Sequence, residues 1–323
     1  MTKRILTTIT LIWLAALALS QNAAAQEYPT RAVKIVVGYP PGGSVDANAR
    51  LLGQLLSERW SKPVVIENRA GAGSTIATAS VAQAAPDGYT ILLASPAHTI
   101  NATLYKKLPY DTETAFAAVA KLSAAPLILL MPASAQTQSV SELIALAKAN
   151  PGKLNYGSSG AGTSVHLAAA LFNMMAGTSM QHIPYHGGSP ALSALLAGDI
   201  QLMFAGVEGL VHVKTGKLRA LAITASQRVD MFKDLPTIAE SGLPGFDVET
   251  WYGLYLPAAT PRTIVNQLNR EVNLVSHEPA NEQRFRKLGF EVFETSPEQF
   301  TAFTRSELKK WRDVIQASGA TLD

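Results

Sequence analysis

Two glycine-rich runs hold the residue types best suited to chemistry: Gly38 to Asp46 (GYPPGGSVD) and Gly157 to His166 (GSSGAGTSVH). Each follows an apolar run and precedes apolar residues at helical spacing, so each reads as a strand-to-helix turn. A helix N-terminus leaves backbone N–H groups unpaired and carries partial positive charge, which makes such a turn a seat for an anion. Hydroxyls sit beside those donors: Ser44 in the first run, and Ser158, Ser159, Thr163 and Ser164 in the second. Singly, either run reads first as a tight turn leading into a capped helix. Two of them facing one cleft form a clamp for a carboxylate that needs no arginine. Asp46 works against this, because an acid in the first helical turn repels an anion unless it bonds the loop's own N–H groups.

Other chemistries fit less well. Gly38 and Gly43 have phosphate-loop spacing, but Ser44-Val45 stands where Lys-Ser/Thr would bind phosphate and magnesium. Gly71-Ala72-Gly73 lacks the third small residue of a dinucleotide fingerprint. Gly157-Ser158-Ser159-Gly160-Ala161 approaches the G-x-S-x-G nucleophile elbow, with alanine for its last glycine. A secreted serine hydrolase using Ser158 or Ser159 is therefore the alternative reading. His166, however, falls on the following helix and reads first as a polar histidine packed on the loop. His182 and His186 have metal-ligand spacing only on a helix, which Pro184, Gly187 and Gly188 forbid. With no cysteine and no acids clustered with histidines, no metal and no cofactor are expected. His98, in the turn after the third strand, either reaches the cleft or caps a turn. Trp251, Tyr252 and Tyr255 alternate in a strand-like run, read as core with one face a candidate cleft wall.

The elements that position these residues alternate. Strand Val33–Val37, helix Ala47–Trp60, strand Val64–Glu67, helix Ser74–Ala84 and strand Thr90–Ala94 make a βαβαβ series, the pattern of a parallel sheet. A second series follows: strand Leu127–Met131, helix Val140–Ala149, strand Leu154–Gly157, helix Ser164–Ala176 and strand Gln181–Pro184. It continues through helix Pro190–Ala197 and strands Ile200–Phe204 and Arg219–Thr224. Val248–Leu256 is strand-like, and from Pro261 onward the chain reads as mostly helical. Two α/β halves without a low-complexity linker predict several crossings between them, as in a hinged two-lobe protein.

Composition sets the compartment. Lys3 and Arg4, the apolar run Ile5–Leu19 and Ala23-Ala24-Ala25 read as a signal peptide cleaved near Ala25. The uncharged stretch of about 20 residues could also serve as an uncleaved anchor. The chain has no cysteine, so neither a lipid-anchored lipoprotein nor a disulfide framework is possible. Its formal charge is +3, of which Lys3 and Arg4 supply two units. No basic stripe exists, which argues against nucleic acid as a partner.

The ordered blocks YPTRAVKIVVGYPPGGSVDANARLL, PVVIENRAGAGSTIA, AAPDGYTILLAS, NATLYKKLPYD, ANPGKLNYGSSGAGTSVHLA, HIPYHGGSPAL, KLRALAIT and DLPTIAESGLPGFDVETWYGLYLPAATP fall within a match that spans essentially the whole mature chain. In them it resembles the periplasmic solute-binding receptors of tripartite tricarboxylate transporters, the Bug or TctC family. The resemblance implies a type II periplasmic binding protein fold, with two α/β domains closing on ligand in a central cleft. It implies a discontinuous first domain, residues 26–125 plus 249–323, around a second of residues 126–248, after a signal peptide of residues 1–25. It implies a periplasmic monomer that is not an enzyme. Such a receptor would take a di- or tricarboxylate or an aromatic acid to integral-membrane transporter subunits; a ligand sensor for a membrane kinase would need the same closure. The matched positions imply ligand contacts from Tyr39, Gly42, Gly43, Ser44 and Asp46, and from Ser158, Gly160, Thr163, Ser164 and His166. His98 and the Gly187-Gly188-Ser189 turn fall where the family lines its cleft. Ala205-Gly206 stands where the family commonly has Asp-Asn, which points to an uncharged or carboxylate-bearing distal end of the ligand, with Glu208 near enough to substitute.

Overall fold

Val33–Val37 (β1) is buried along nearly its whole length because it becomes an inner strand of a sheet. The computed structural model describes residues 28–319, so the leader reading lies outside the described residues. Helix α1 (Ser44–Trp60) follows, then β2 (Val64–Asn68), α2 (Thr75–Ala82) and β3 (Thr90–Ala94). β2 and β3 pair in parallel on either side of β1, as the βαβαβ pattern requires. α2 starts one residue later and ends two residues earlier than its apolar pattern suggested. Gly73 (φ 60°) and Ser74 (φ 75°) adopt left-handed backbone, so Ala72–Ser74 forms a separate 3₁₀ turn ahead of it.

The same sheet gains strands the parallel pattern did not foresee. β4 (Phe116–Pro126) is alanine-rich and gave no strand signal, yet it pairs antiparallel with β10 (Glu249–Pro257). A two-residue strand, β11 (Glu291–Val292), closes that edge, giving the order β11-β4-β10-β3-β1-β2. Where a turn was expected after β3, helix α3 (Ala97–Leu104) forms.

A second sheet, ordered β7-β6-β8-β5-β9, is built from β5 (Ile128–Pro132), β6 (Asn155–Ser158), β7 (Gln181–Pro184), β8 (Leu202–Ala205) and β9 (Leu218–Ile223). β6 is parallel to β7 and β8, and β5 is antiparallel to β8 and β9. Its helices are α4 (Val140–Ala149), α5 (Ser164–Ala176), α6 (Gly188–Ala197) and the short α7 (Leu210–Lys214). The chain passes between the sheets at Leu127 and at Val248, and buried Thr224 ties the two passages together. Its hydroxyl accepts from Leu127 N–H at 2.7 Å and donates to Val248 C=O at 2.6 Å.

The C-terminal third is helical as expected, broken at Pro279 and Pro297 into α8 (Arg262–Ser276), α9 (Pro279–Lys287) and α10 (Pro297–Ser318). α8 buries Val265, Leu268, Val272 and Val275 against the first sheet, one stripe of an amphipathic helix. α10 begins with a Ser296/Gln299 capping box and serves both units. Phe300 packs with Trp251 and Tyr255 on the first sheet, while Trp311, Val314 and Ile315 join the core around Leu167 and Phe172 of the second. Between them, buried Glu307 accepts from the indoles of Trp251 (3.0 Å) and Trp311 (2.9 Å). Among the described residues, no helix is long and apolar enough to cross a membrane.

Candidate ligand-binding cleft

Strand carboxyl ends from both sheets meet across a cleft of about 660 Å3. On one side lie Tyr39, Pro40, Pro41, Gly43 and Ser44 from the first glycine loop, Ser95 to Ala97, the α3 residues Ile100, Asn101 and Leu104, and Thr250 and Tyr252 of β10. On the other lie Ser159, Ala161 to Ser164, Gly187 and Gly188. The N-termini of α1, α3, α5 and α6 all reach this space, and no side chain caps α1, α3 or α6. Among the described residues, no Lys, Arg, His, Asp or Glu lines it. The partial positive charge available there is that of backbone N–H groups and helix ends. A larger groove of about 840 Å3 on the outer face of the second unit shares no residue with either glycine loop.

The first loop is shaped from behind by Asp46, only 2% exposed. Its carboxylate accepts from Gly42 N–H (2.9 Å), Arg50 Nε (2.8 Å) and Asn68 Nδ2 (2.8 Å). Asn68 also donates to Tyr39 C=O at 3.0 Å, so one acid ties the loop to the end of β2. Burial pushes the Asp46 carboxyl up, but these hydrogen bonds outweigh it and bring it down to about 2. Asp46 thus bonds the loop's own N–H rather than facing the cleft. Tyr39 shares a 2.9 Å hydrogen bond with Ser95, and burial raises its phenol. Burial likewise raises the Tyr252 phenol, opposed by a hydrogen bond with Ser44.

Behind the second loop stand two histidines. His166 Nδ1 accepts from Gly162 N–H at 3.0 Å, and its ring stacks on His182 with centroids 3.8 Å apart. His182 Nε2 is 2.6 Å from the Ser158 hydroxyl, which also accepts from Gly160 N–H at 3.1 Å. Burial, then the neighbouring His182, lowers His166 to about 4, so the ring is neutral and its Nδ1 lone pair free to hold the loop. Thr163 caps α5, accepting from His166 N–H at 3.3 Å and donating to Gly160 C=O at 2.8 Å. At Gly162 (φ 75°) a Cβ would sit 2.1 Å from Leu104 Cδ2, so only glycine admits this approach of α3 to the loop.

Of the positions the sequence singled out, Tyr39, Gly43, Ser44, Thr163 and Ser164 line the cleft. Asp46, Ser158 and His166 are buried behind the loops and hold them, while Gly42 and Gly160 belong to the loops and give their N–H groups to Asp46 and Ser158 rather than line the cleft. His98 belongs to α3 and packs away from the cleft against Phe116 and Tyr255. Burial lowers it to about 3, and neither ring nitrogen has a hydrogen-bond partner. Its place in a helix removes the turn-capping role. Ser189 is exposed in the first turn of α6, and Ala205 is buried in the second unit's core. Sequence reasoning missed Ser95, Pro96 and Ala97, although they follow β3 at its carboxyl end just as the first loop follows β1. It also missed Ile100, Asn101 and Leu104, because α3 itself was not foreseen. No group of three or more His, Cys, Asp or Glu among the described residues could hold a metal.

Two α/β units around a cleft lined by helix N-termini define the periplasmic-binding-protein fold, and solved structures of that class match closely. An R. palustris protein with adipate superposes with a TM-score of 0.79 at 33% identity, covering 92% of this chain and 100% of that one. MatC from Rhodopseudomonas palustris with bound malate gives a TM-score of 0.74 at 32% identity, covering 89% and 100%. BugT of Bordetella pertussis is 35% identical over 96% of both chains. The family model "Tripartite tricarboxylate transporter family receptor" matches residues 48–320, and the chain belongs to that family.

Proposed function

We propose that this chain is an exported receptor that captures a small organic carboxylate, a di- or tricarboxylate or an aromatic acid, between its two lobes. It then delivers that ligand, as a monomer, to the integral-membrane subunits of a tripartite tricarboxylate-type transporter. The observation that carries the reading is the convergence of four helix N-termini on a cleft with no charged lining side chain. Adipate and malate in the two R. palustris structures support it. The lobes are residues 26–125 with 249–323, and residues 126–248, hinging where Thr224 pins Leu127 to Val248. Ligand contacts from both loops favour the closed state.

A thermal-shift panel of organic acids tests the reading. A true ligand at about 100 times its Kd stabilises the fold by roughly 2.7 kcal/mol. Ser44→Trp or Thr163→Trp removes the shift while the ligand-free protein still folds; an unchanged shift in both moves the site elsewhere. The 2.6 Å contact of Ser158 with His182 is the one observation favouring a hydrolase. Ser158 has no exposed surface, so substrate has no approach to its hydroxyl. Labelling by a serine-directed probe together with ester turnover would overturn the receptor reading.

A further inference from the structure

The cleft has one acid at its margin. Glu208 follows β8 and folds back so that its carboxylate accepts from Gly206 N–H at 3.0 Å. A Cβ on Gly206 would lie 2.4 Å from Glu208 Oε2, so glycine at 206 makes room for that fold-back. The oxygen that accepts from Gly206 N–H, Oε1, also lies 3.8 Å from the point a Cβ on Gly188 would occupy. Gly188 opens α6 and lines the cleft, and α6 has no side-chain cap. One of the four helix N-termini thus already faces a resident carboxylate. The negative charge of Glu208 is also felt at Tyr252, on the opposite wall.

We propose that Glu208 is a specificity-determining residue that selects acids with a single carboxylate and an uncharged body. This rests on the carboxylate reading above and, of the ligand classes named there, keeps the aromatic and other monoacids and excludes di- and tricarboxylates. The ligand carboxylate takes the α1 and α5 ends, at Ser44 and Ser164. Its remainder lies along Pro40, Pro41, Pro96, Ile100 and Leu104, an apolar surface without a cation to neutralise a second negative charge. A second carboxylate reaching toward α6 meets the exposed Glu208 carboxylate beside that helix end, and like charges at close range repel.

Isothermal calorimetry with two matched pairs, hexanoate against adipate and benzoate against terephthalate, tests this. The wild-type protein should bind the monoacid of a pair at least about tenfold more tightly than the diacid at neutral pH. Glu208→Gln keeps the acceptor for Gly206 N–H and removes the charge. It should leave monoacid affinity within a few-fold and bring the diacid at least about tenfold closer. Equal or tighter diacid binding by the wild type overturns the inference while leaving the receptor reading intact. So does a mono-to-diacid ratio that Glu208→Gln leaves unchanged. Absence of binding by all four acids overturns the inference and counts against the carboxylate reading beneath it.

Discussion

Replacing Asp46 by asparagine removes a charge and keeps the shape of the staple behind the first loop. Hydrogen bonds from Arg50, Gly42 and Asn68 hold the buried carboxyl at about 2, against 3.8 for an ordinary aspartate. A gap of nearly two units corresponds to about 2 kcal/mol of stability at neutral pH. The folded-state value lies below the unfolded one. The stabilisation is therefore complete above the unfolded value, shrinks as acid protonates the unfolded chain, and is gone once pH passes below about 2. Arg50 is half-exposed, so its share is screened by salt, whereas the shares of Gly42 and Asn68 are not. Asparagine retains one acceptor, so Asp46→Asn should cost roughly 1–2 kcal/mol in urea denaturation at pH 7, about half of that near pH 3, and somewhat less in high salt. A variant within about 0.5 kcal/mol of wild type at pH 7, or a deficit that stays constant on acidification, would refute the assignment of Asp46 as an ionised staple.

Gly162→Ala places a methyl group against Leu104 and forces alanine into left-handed backbone. Ligand affinity should fall at least about tenfold, and Leu104→Ala in the same chain should recover part of it; calorimetry showing wild-type affinity in the single variant would contradict the contact. His166 titrates near 4 in the fold against 6.5 ordinarily, so its share of stability is complete above 6.5 and is lost as pH falls toward 4. His166→Gln keeps an acceptor for Gly162 N–H and should flatten that part of the urea-midpoint profile; matching wild-type and variant profiles would remove His166 as the source. Trp311→Ala should cost about 3–5 kcal/mol, since it empties a fully buried site in α10 and removes an indole donor from Glu307; a loss under about 1 kcal/mol by denaturation would show that α10 does not join the two cores.

The parallel strands were legible because Val33–Val37 and Thr90–Ala94 are uninterrupted apolar runs between turn residues, as strands buried on both faces must be. β4 escaped because Ala117, Ala118, Ala120, Ala124 and Ala125 give no strand preference of their own. Its place is fixed from outside, by pairing along β10. The two glycine loops were legible from local chemistry, which is why Ser44 and Thr163 could be named. Asp46 and His166 were harder, since sequence places them beside the cleft but cannot say which way a side chain turns. Asn68 and Gly162 decide that, by offering each a partner behind its loop. His98 shows the same limit in reverse. Only the packing of Phe116 and Tyr255 around it reveals that α3 turns this ring away from the cleft.

A clamp of helix ends differs physically from one of arginines. An arginine in an open cleft carries its whole charge and attracts anions before the lobes meet. The N–H groups at the starts of α1 and α5 carry fractions of a charge, and in an open cleft water satisfies them. In the proposed receptor their pull on a carboxylate grows as the lobes close and water leaves, because the local dielectric then falls. Each loop alone offers little, and the pair offers enough only together. In the proposed receptor, occupancy and closure therefore become one event, and a membrane partner that reads the closed shape reads the ligand. Association rates should accordingly not fall with added salt, since among the described residues no cationic side chain lines the cleft. A steep fall in the association rate with added salt, measured by stopped-flow fluorescence of the chain's tryptophans, would place a cationic side chain on the ligand's path and defeat this account.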